Sequence, residues 1–256
     1  MPSPLFLHRS RLFRVVRRAG LACLHKAEDW LIPPTCGHCG KRRFGTMPLC
    51  RDCLRVVRDA RPEEDEAISG IPWARAMFRL TPPLHGLIHG FKYRHERRHV
   101  RLLCAWMRWR RLWRDDLAQS YDAVVPVPLH PARRRERGYN QATAIAREIG
   151  LWGGVPVRED LLRRVRRTGT QTRLGGRKRG SNLDGAFRAA PARSEAGLRL
   201  LLVDDVCTTG STLAHCRDAL LSAGAARVDA LVLARVEKDN AKAPLPDFET
   251  AAAFFA

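Results

Sequence analysis

A pair of acids followed by small hydroxyl-bearing residues is the strongest chemical signal in the chain. The acids are Asp204 and Asp205, and the following residues, which we call the hydroxyl loop, are Thr208, Thr209, Gly210, Ser211 and Thr212. The apolar residues 200–203 predict a buried strand before the acids, and the leucine spacing after residue 212 predicts a helix. N–H groups at the start of a helix, with hydroxyls and a glycine beside them, can bind a phosphate. The carboxylates can accept hydrogen bonds from two sugar hydroxyls, whereas a plain helix cap explains one hydroxyl but not the paired acids.

Four cysteines have the spacing of a metal site. Two Cys-x2-Cys pairs, separated by ten residues, are formed by Cys36, Cys39, Cys50 and Cys53. Two such turns allow four thiolates to converge on one tetrahedral ion, so the sequence predicts a structural Zn2+ with no open position for catalysis. The short gap between the pairs leaves a redox pair or a disulfide-bonded module as the alternative. We expect His38 to be exposed, and we expect no ligand role for Cys23, Cys104, Cys207 and Cys216.

A proline-stiffened, arginine-rich loop follows a second predicted strand. Residues 121–130 end this strand in Pro-Val-Pro-Leu-His, and residues 133–137 contain four arginines before a helix that is predicted to continue to Ile149. Ligands of parallel α/β sheets bind beyond the carboxyl ends of the strands, so this loop and the hydroxyl loop are expected to face one crevice. The positive charge of the loop suits an anionic part of the ligand.

A long basic segment rich in glycine separates this helix from the two acids. It covers residues 161–187 and closes with Asn-Leu-Asp-Gly-Ala-Phe at residues 182–187. Such a segment is typical of a lid that orders over an anionic ligand, and the alternative is a disordered linker. The regular closing sequence at residues 182–187 indicates a return to defined structure and therefore favours the lid over the linker.

Strands alternate with helices along most of the chain. Strands are predicted at residues 73–80, 121–130, 200–203 and 228–234, and a short helix is predicted at residues 84–93. This order predicts an α/β fold with a doubly wound, mostly parallel sheet, preceded by the small four-cysteine module. The predicted parts are a basic amphipathic helical extension at 1–31, the cysteine module at 32–59, a linker at 60–70, the main domain at 71–240 and an irregular tail at 241–256. We expect the helical extension to dock on the rest of the protein. The alternatives are a helix on a membrane surface and an arm that contacts DNA.

The chain is strongly basic. Its formal net charge is +20, with 46 Lys and Arg residues, of which six are Lys. Such a charge attracts polyanions such as nucleic acids and phosphorylated substrates, although an arginine bias from genome composition would give the same balance. No apolar run approaches the length of about 18 residues that a membrane span needs, so we expect no membrane span. The chain is large enough not to need disulfides, and a reducing cytoplasm is therefore the expected location.

One basic run is interleaved with tryptophans. Residues 92–114 contain nine Lys or Arg residues and one acid, with Trp106, Trp109 and Trp113 among them. Indole rings beside arginines can stack on single-stranded nucleic acid. The favoured interpretation is the buried stripe of one helix, formed by the tryptophans with Leu102 and Leu103, whose solvated face can still bind phosphates.

Taken together, the motifs resemble those of the ComF/GntX family of phosphoribosyltransferase-fold proteins. The resemblance covers about residues 32–235 in the same order. Its motifs are the cysteine pairs after Pro33-Pro34, Phe91-Lys92-Tyr93, Pro-Val-Pro-Leu-His at 126–130, Arg-Gly-Tyr-Asn-Gln at 137–141, residues 168–187, and the two acids with the hydroxyl loop. The basic N-terminal extension and the arginine-rich lid depart from the family pattern.

The resemblance implies a type I phosphoribosyltransferase fold with a zinc-ribbon-like module, which binds phosphoribosyl pyrophosphate (PRPP) together with Mg2+. The hydroxyl loop would hold the 5-phosphate of PRPP, and Asp204 and Asp205 would hold its ribose. The pyrophosphate loop would consist of Val127, Pro128, Leu129, His130 and Arg137. The lid would contribute Arg164, Thr170, Gln171, Arg179 and Asn182.

The family is linked to natural competence, the cytoplasmic handling of incoming single-stranded DNA. Single-stranded DNA and other competence proteins are therefore expected partners. Three functional classes stay open, because the sequence identifies no residues for an acceptor: a DNA-handling accessory protein with a PRPP pocket, a metabolic phosphoribosyltransferase, and a PRPP-sensing regulator.

Overall fold

The computed structural model describes residues 35–42, 48–60, 68, 70–71, 73–93, 97–109, 117–166, 183–190 and 197–236. The predicted N-terminal helix, Cys23, Trp113 and the C-terminal tail lie outside the described residues. So do four predicted lid residues, Thr170, Gln171, Arg179 and Asn182.

The described strands form one parallel sheet and one two-stranded antiparallel ribbon. In chain order they are β1 (Ala74–Arg79), β2 (Ala123–Pro126), β3 (Leu162–Arg164), β4 (Phe187–Ala189), β5 (Arg199–Cys207) and β6 (Arg227–Arg235). The sheet has the order β1-β6-β5-β2 and all its pairs are parallel, which confirms the predicted α/β class. The antiparallel ribbon of β3 and β4 was not predicted.

The central strand β5 is longer than the sequence predicted. Its apolar part ends at Val203, but the backbone continues to pair with β6 as far as Cys207, which lies opposite Arg235. The two acids therefore lie within the strand, because ladder hydrogen bonds depend on the backbone and not on the polarity of the side chain.

Helices cover both faces of the sheet, as the predicted doubly wound fold requires. In chain order they are α1 (Arg51–Asp59), α2 (Pro82–Tyr93), α3 (Arg97–Trp109), α4 (Leu117–Ser120), α5 (Pro131–Arg137), α6 (Gln141–Gly153) and α7 (Ser211–Ser222). Residues of β5 alternate between two cores: Leu201 and Val203 pack with α2, α3 and α6, whereas Leu200 and Leu202 pack with α7. This alternation is the period of two of a strand that is buried on both faces.

Helix α3 confirms part of the interpretation of the tryptophan run as a helix with a buried stripe, at Leu103 and Trp106, whereas the burial of Leu102 and Trp109 is not described. Leu103 is buried, and Trp106 is half-buried with its ring 5.3 Å from that of Phe78. The other buried positions of the stripe are Val100, Cys104 and Met107. No helix in the described part of the chain is long and apolar enough to cross a bilayer.

The cysteine module shares a core with the main sheet. Cys36, Cys53 and Val57 belong to the hydrophobic cluster that contains α2 and α3. The module approaches α2 so closely that a Cβ on Gly86 would lie 3.4 Å from the carbonyl oxygen of Gly37. Within the stretch predicted as a linker, Ile68 is 2% exposed and packs in the other core. The domain boundaries themselves stay a prediction.

Candidate functional site

The hydroxyl loop connects the carboxyl end of β5 to the start of α7. Gly210 has a φ of 78°, in the left-handed region that favours glycine, and it precedes the first residue of the helix. Thr208 and Thr209 are exposed, and the Thr209 hydroxyl accepts a hydrogen bond of 3.4 Å from the Ser211 N–H. Gly210 has no side chain that could cap the other N–H groups of the first turn. The arrangement therefore presents backbone donors at a helix start, which suits an anion.

The two acids are fixed by the backbone that follows them. Asp204 Oδ1 accepts a hydrogen bond of 2.8 Å from the Asp205 N–H, and Asp205 Oδ1 accepts one of 2.8 Å from the Val206 N–H. Both side chains are half-buried at the strand end. Carboxylates that are oriented in advance lose less conformational freedom when they bind a ligand.

Two thiols lie near the acids, and both are held protonated. Burial, with a contribution from the Asp204 carboxylate, raises the pKa of the Cys207 thiol to about 11, although Arg235 acts in the opposite direction. Burial also raises the pKa of Cys216 well above its usual range. Because the thiolate is the nucleophilic form, neither cysteine suits covalent catalysis.

The loop after β2 lies beside β5 and is held from behind by Asn140. The Val127 N–H donates to the Val203 carbonyl at 2.9 Å, so the strand pairing continues into the predicted pyrophosphate loop. The Asn140 side-chain amide donates to the Val127 carbonyl at 2.9 Å, and its oxygen accepts from the Ala142 N–H at 3.1 Å, which caps α6. Asn140 is 9% exposed and was not predicted as a site residue.

The predicted pyrophosphate-loop residues have different surroundings. Val127 is buried, whereas Pro128 and Leu129 are half-buried. His130 Nδ1 accepts a hydrogen bond of 3.3 Å from the Ala132 N–H and caps α5, which is a structural contact. Arg137 donates to Gln141 Oε1 at 3.5 Å.

Helix α2 ends against the same region. The Tyr139 hydroxyl donates to the Phe91 carbonyl, which joins the loop between α5 and α6 to the Phe-Lys-Tyr motif. Nothing in the sequence indicated that the Phe-Lys-Tyr motif and the Arg-Gly-Tyr-Asn-Gln motif are neighbours, and this hydrogen bond shows that they are in contact.

Arg164 is the predicted lid residue that the described structure brings to the site. It lies on β3, it is half-buried, and its guanidinium lies 5.2 Å from the centre of the Phe187 ring on β4. Burial lowers its pKa, the charge of Arg133 lowers it further, and the charge of Asp204 opposes both effects. These influences place Arg164 within electrostatic range of the first acid and of Arg133, which belongs to the arginine-rich loop that the sequence predicted to suit an anion.

His215 links α7 to the turn before β4. Its Nδ1 lies 2.7 Å from the Ser211 carbonyl oxygen and its Nε2 lies 3.0 Å from Asp184 Oδ1. Burial alone would lower its pKa, but the Ser211 carbonyl, Asp184 and Asp218 together raise it. No sequence pattern had indicated this pair.

The four predicted metal-site cysteines converge. Their sulfur atoms all lie within 4.8 Å of one another, and the Sγ atoms of Cys39 and Cys50 are 3.6 Å apart. Four thiolates at a Zn–S distance of about 2.3 Å would have sulfur atoms about 3.8 Å apart. The separation is far longer than a disulfide bond of about 2.05 Å. The cluster therefore fits a metal ion and not a pair of disulfides.

Backbone geometry favours the thiolate of Cys36, whereas burial raises the pKa of Cys39 and of Cys53. Burial opposes ionisation of the Cys36 thiol, but N–H groups of residues 39, 50 and 38 outweigh burial and lower its pKa to about 7. Turns close around it through hydrogen bonds from the Gly40 N–H to the Cys36 carbonyl at 3.1 Å and from the Gly37 N–H to the Pro48 carbonyl at 2.9 Å. His38 is exposed, as predicted.

Comparison with known proteins places the chain in a family. The family described as "Phosphoribosyl transferase domain" matches residues 131–250. The chain is 32% identical over 207 residues to "Competence protein F" of Haemophilus influenzae, which covers 79% of this chain and 85% of that protein. It is 33% identical over 213 residues to "DNA utilization protein YhgH" of Salmonella typhimurium, covering 81% and 92%. It is 34% identical over 206 residues to the Escherichia coli protein of the same name, covering 78% and 89%. The chain therefore belongs to the competence protein F family, and its main domain has the type I phosphoribosyltransferase fold.

Proposed function

We propose that this protein binds PRPP with Mg2+ at the carboxyl edge of its sheet and acts in natural competence, in the handling of incoming single-stranded DNA. The observation that carries the PRPP part is the hydroxyl loop at the start of α7 directly after the two oriented carboxylates. The competence part is supported by the relatives, whose names refer to competence and to DNA utilization.

Each part of PRPP has suitable partners in this arrangement. The first-turn N–H groups and hydroxyls of the hydroxyl loop hold the 5-phosphate. Asp204 and Asp205 accept hydrogen bonds from the ribose hydroxyls. The pyrophosphate lies toward the loop after β2, where Arg137 and the Arg133–Arg164 pair supply positive charge. The resemblance to the family assigns Thr170, Gln171, Arg179 and Asn182 to a lid for this ligand.

Two metal ions belong to this proposal. Mg2+ prefers oxygen ligands, so a site that combines the carboxylates of Asp204 and Asp205 with oxygens of PRPP fits it. When bound, it would neutralise charge on the pyrophosphate. The four cysteines hold a structural Zn2+, whose thiolate set leaves no open coordination position.

Phosphoribosyl transfer to an acceptor is the second candidate function. In that reaction, a lone pair of the acceptor forms a bond to the sugar C1, and the bond from C1 to the pyrophosphate oxygen breaks. The electron pair leaves with pyrophosphate, and the acceptor loses a proton to water. Arg164, which is influenced by both Asp204 and Arg133, favours this alternative because the two arginines can stabilise the charge of the leaving group.

Binding of single-stranded DNA tests the competence part. A labelled oligonucleotide should bind in a fluorescence anisotropy titration, with an affinity that falls steeply between two salt concentrations as counterions are released. Replacing Arg94, Arg97, Arg98 and Arg101 with Ser should flatten the salt dependence, whereas Asp205→Asn should leave it unchanged. If no binding occurs at physiological salt, the transferase becomes the better account.

A further inference from the structure

The order of the sheet indicates where a second ligand would lie. Strand β5, which carries the two acids, has β2 on one side and β6 on the other. The loop after β2 is the proposed pyrophosphate side. An acceptor that displaces pyrophosphate in line must approach the sugar C1 from the side opposite the leaving group. With pyrophosphate placed on the β2 side of β5, the strand order puts the carboxyl ends of β6 and β1 on the opposite side.

Two arginines lie next to each other at these strand ends. Arg235 ends β6 opposite Cys207 of β5, and Arg79 ends β1 opposite Arg235. The pairing continues beyond them, because the Leu80 N–H donates to the Arg235 carbonyl at 2.7 Å and the Val236 N–H donates to the Cys207 carbonyl at 2.9 Å. Neighbouring strands are about 4.8 Å apart. Arg235 therefore lies one strand away from Cys207, the residue before the hydroxyl loop, and Arg79 lies two strands away.

A buried hydroxyl follows the end of β1, two residues after Arg79. Thr81 follows Leu80 and is 7% exposed, and its hydroxyl has no hydrogen-bond partner among the described residues. A buried hydroxyl is unfavourable unless a partner is supplied, and a bound ligand is one source of that partner.

The electrostatics of Cys207 relate Arg235 to the acids. The thiol of Cys207 is influenced both by Asp204 and by Arg235, with opposite signs. Arg235 and Asp204 are therefore both near Cys207, so Arg235 lies near the proposed ribose site at the same edge of the sheet.

We propose that Arg79, Arg235 and Thr81 form a subsite for an oxyanion, a carboxylate or a phosphate, on the acceptor that reacts with or binds beside PRPP. A guanidinium presents a planar fork that matches a carboxylate or a phosphate, and two adjacent forks with a hydroxyl donor select such a group over a neutral one. This subsite rests on the proposed PRPP site, whose acceptor class it specifies.

Calorimetry on the PRPP-loaded protein tests the subsite. The probes are orotate, nicotinate and phenyl phosphate, with uracil and nicotinamide as neutral counterparts. We expect at least one oxyanion to bind at least tenfold more tightly than the neutral compounds. Arg79→Gln combined with Arg235→Gln should weaken that binding at least tenfold, and Thr81→Val should weaken it less, while both variants keep their PRPP affinity.

Arg75→Gln is the matched control, because Arg75 lies on the same strand as Arg79, about 13 Å from its carboxyl end. This variant should bind every probe as the unmodified protein does. The subsite is contradicted if no oxyanion binds, or if the double variant binds it unchanged. If PRPP itself does not bind, the proposed function fails, and the same titration on the unliganded protein then tests the subsite separately. Retention of PRPP binding by the Thr81→Val and double variants shows that they are folded.

Discussion

Asn140 makes two contacts with one buried side chain. Its amide fixes the loop after β2 through the Val127 carbonyl, and its oxygen caps α6. Asn140→Ser should keep the cap and lose the amide contact, whereas Asn140→Ala should lose both. Each lost contact should lower the free energy of unfolding by about 1 kcal/mol.

Urea denaturation of the unmodified protein, Asn140→Ser and Asn140→Ala measures the free energy of unfolding that each lost contact removes. The change from Asn to Ser should also weaken PRPP binding, because the loop that faces the pyrophosphate is no longer held. Equal stability of Asn140→Ser and the unmodified protein would show that the Val127 contact contributes nothing.

The His215–Asp184 pair predicts a pH-dependent contact between α7 and the turn before β4. The pKa of His215 is raised in the folded protein. The ion pair should therefore stabilise the fold fully below the pKa of an unfolded-chain histidine, about 6.5, and the stabilisation should be lost as pH rises through the folded-state value.

An NMR titration of the His215 ring measures this pKa directly. Asp184→Asn should lower it, and the stability difference between the two proteins should shrink as the pH is raised. A pKa of His215 that does not change in Asp184→Asn would rule out the ion pair as its cause. Asp218→Asn removes the other nearby acid, which lies on α7, and so measures the separate contribution of Asp218 to the pKa of His215.

At the scale of elements, local patterns were predictable and pairings between distant segments were not. The β5–loop–α7 unit is continuous in sequence, so its apolar run, acids and hydroxyls identify it directly. Strands β3 and β4 have three residues each, too few for a periodic pattern, and they pair across a long intervening segment. Arg79 and Arg235 meet only because the first and last strands of the sheet are neighbours.

The cysteine cluster should contain one zinc ion per chain. Because Cys50 and Cys53 pack in the same core as α2, Cys50→Ser should lose the metal and also loosen α1 and α2. Elemental analysis of carefully reduced protein measures the stoichiometry, and hydrogen exchange measures the loosening.

Cys104→Ala is the control for this prediction. Cys104 is fully buried in the same core but lies outside the four-sulfur cluster. It should lower stability and leave the zinc content unchanged. Reduced protein that folds with no metal would contradict a structural zinc site.

For the molecule as a whole, the sheet places three chemical features along one edge. The loop proposed to face the pyrophosphate follows β2, the two acids lie near the end of β5 with the hydroxyl loop directly after it, and the proposed acceptor subsite lies at the ends of β6 and β1. The net charge of +20 on the whole chain favours anionic ligands in general. The sequence predicted the first two features, because each is a contiguous motif. It could not predict the third, which depends on strand order.

Calorimetric titration of PRPP with Mg2+ tests the central claim most directly. The unmodified protein should bind PRPP, and Asp204→Asn and Asp205→Asn should each weaken binding by roughly one to two decades, since each removes a charged acceptor for a sugar hydroxyl. The charge-matched control is Asp160→Asn combined with Asp218→Asn, two exposed acids that pair with Arg158 and Arg217. This control should bind PRPP unchanged. An unmodified protein that does not bind PRPP, or a double variant at residues 204 and 205 that binds it with full affinity, would contradict the account.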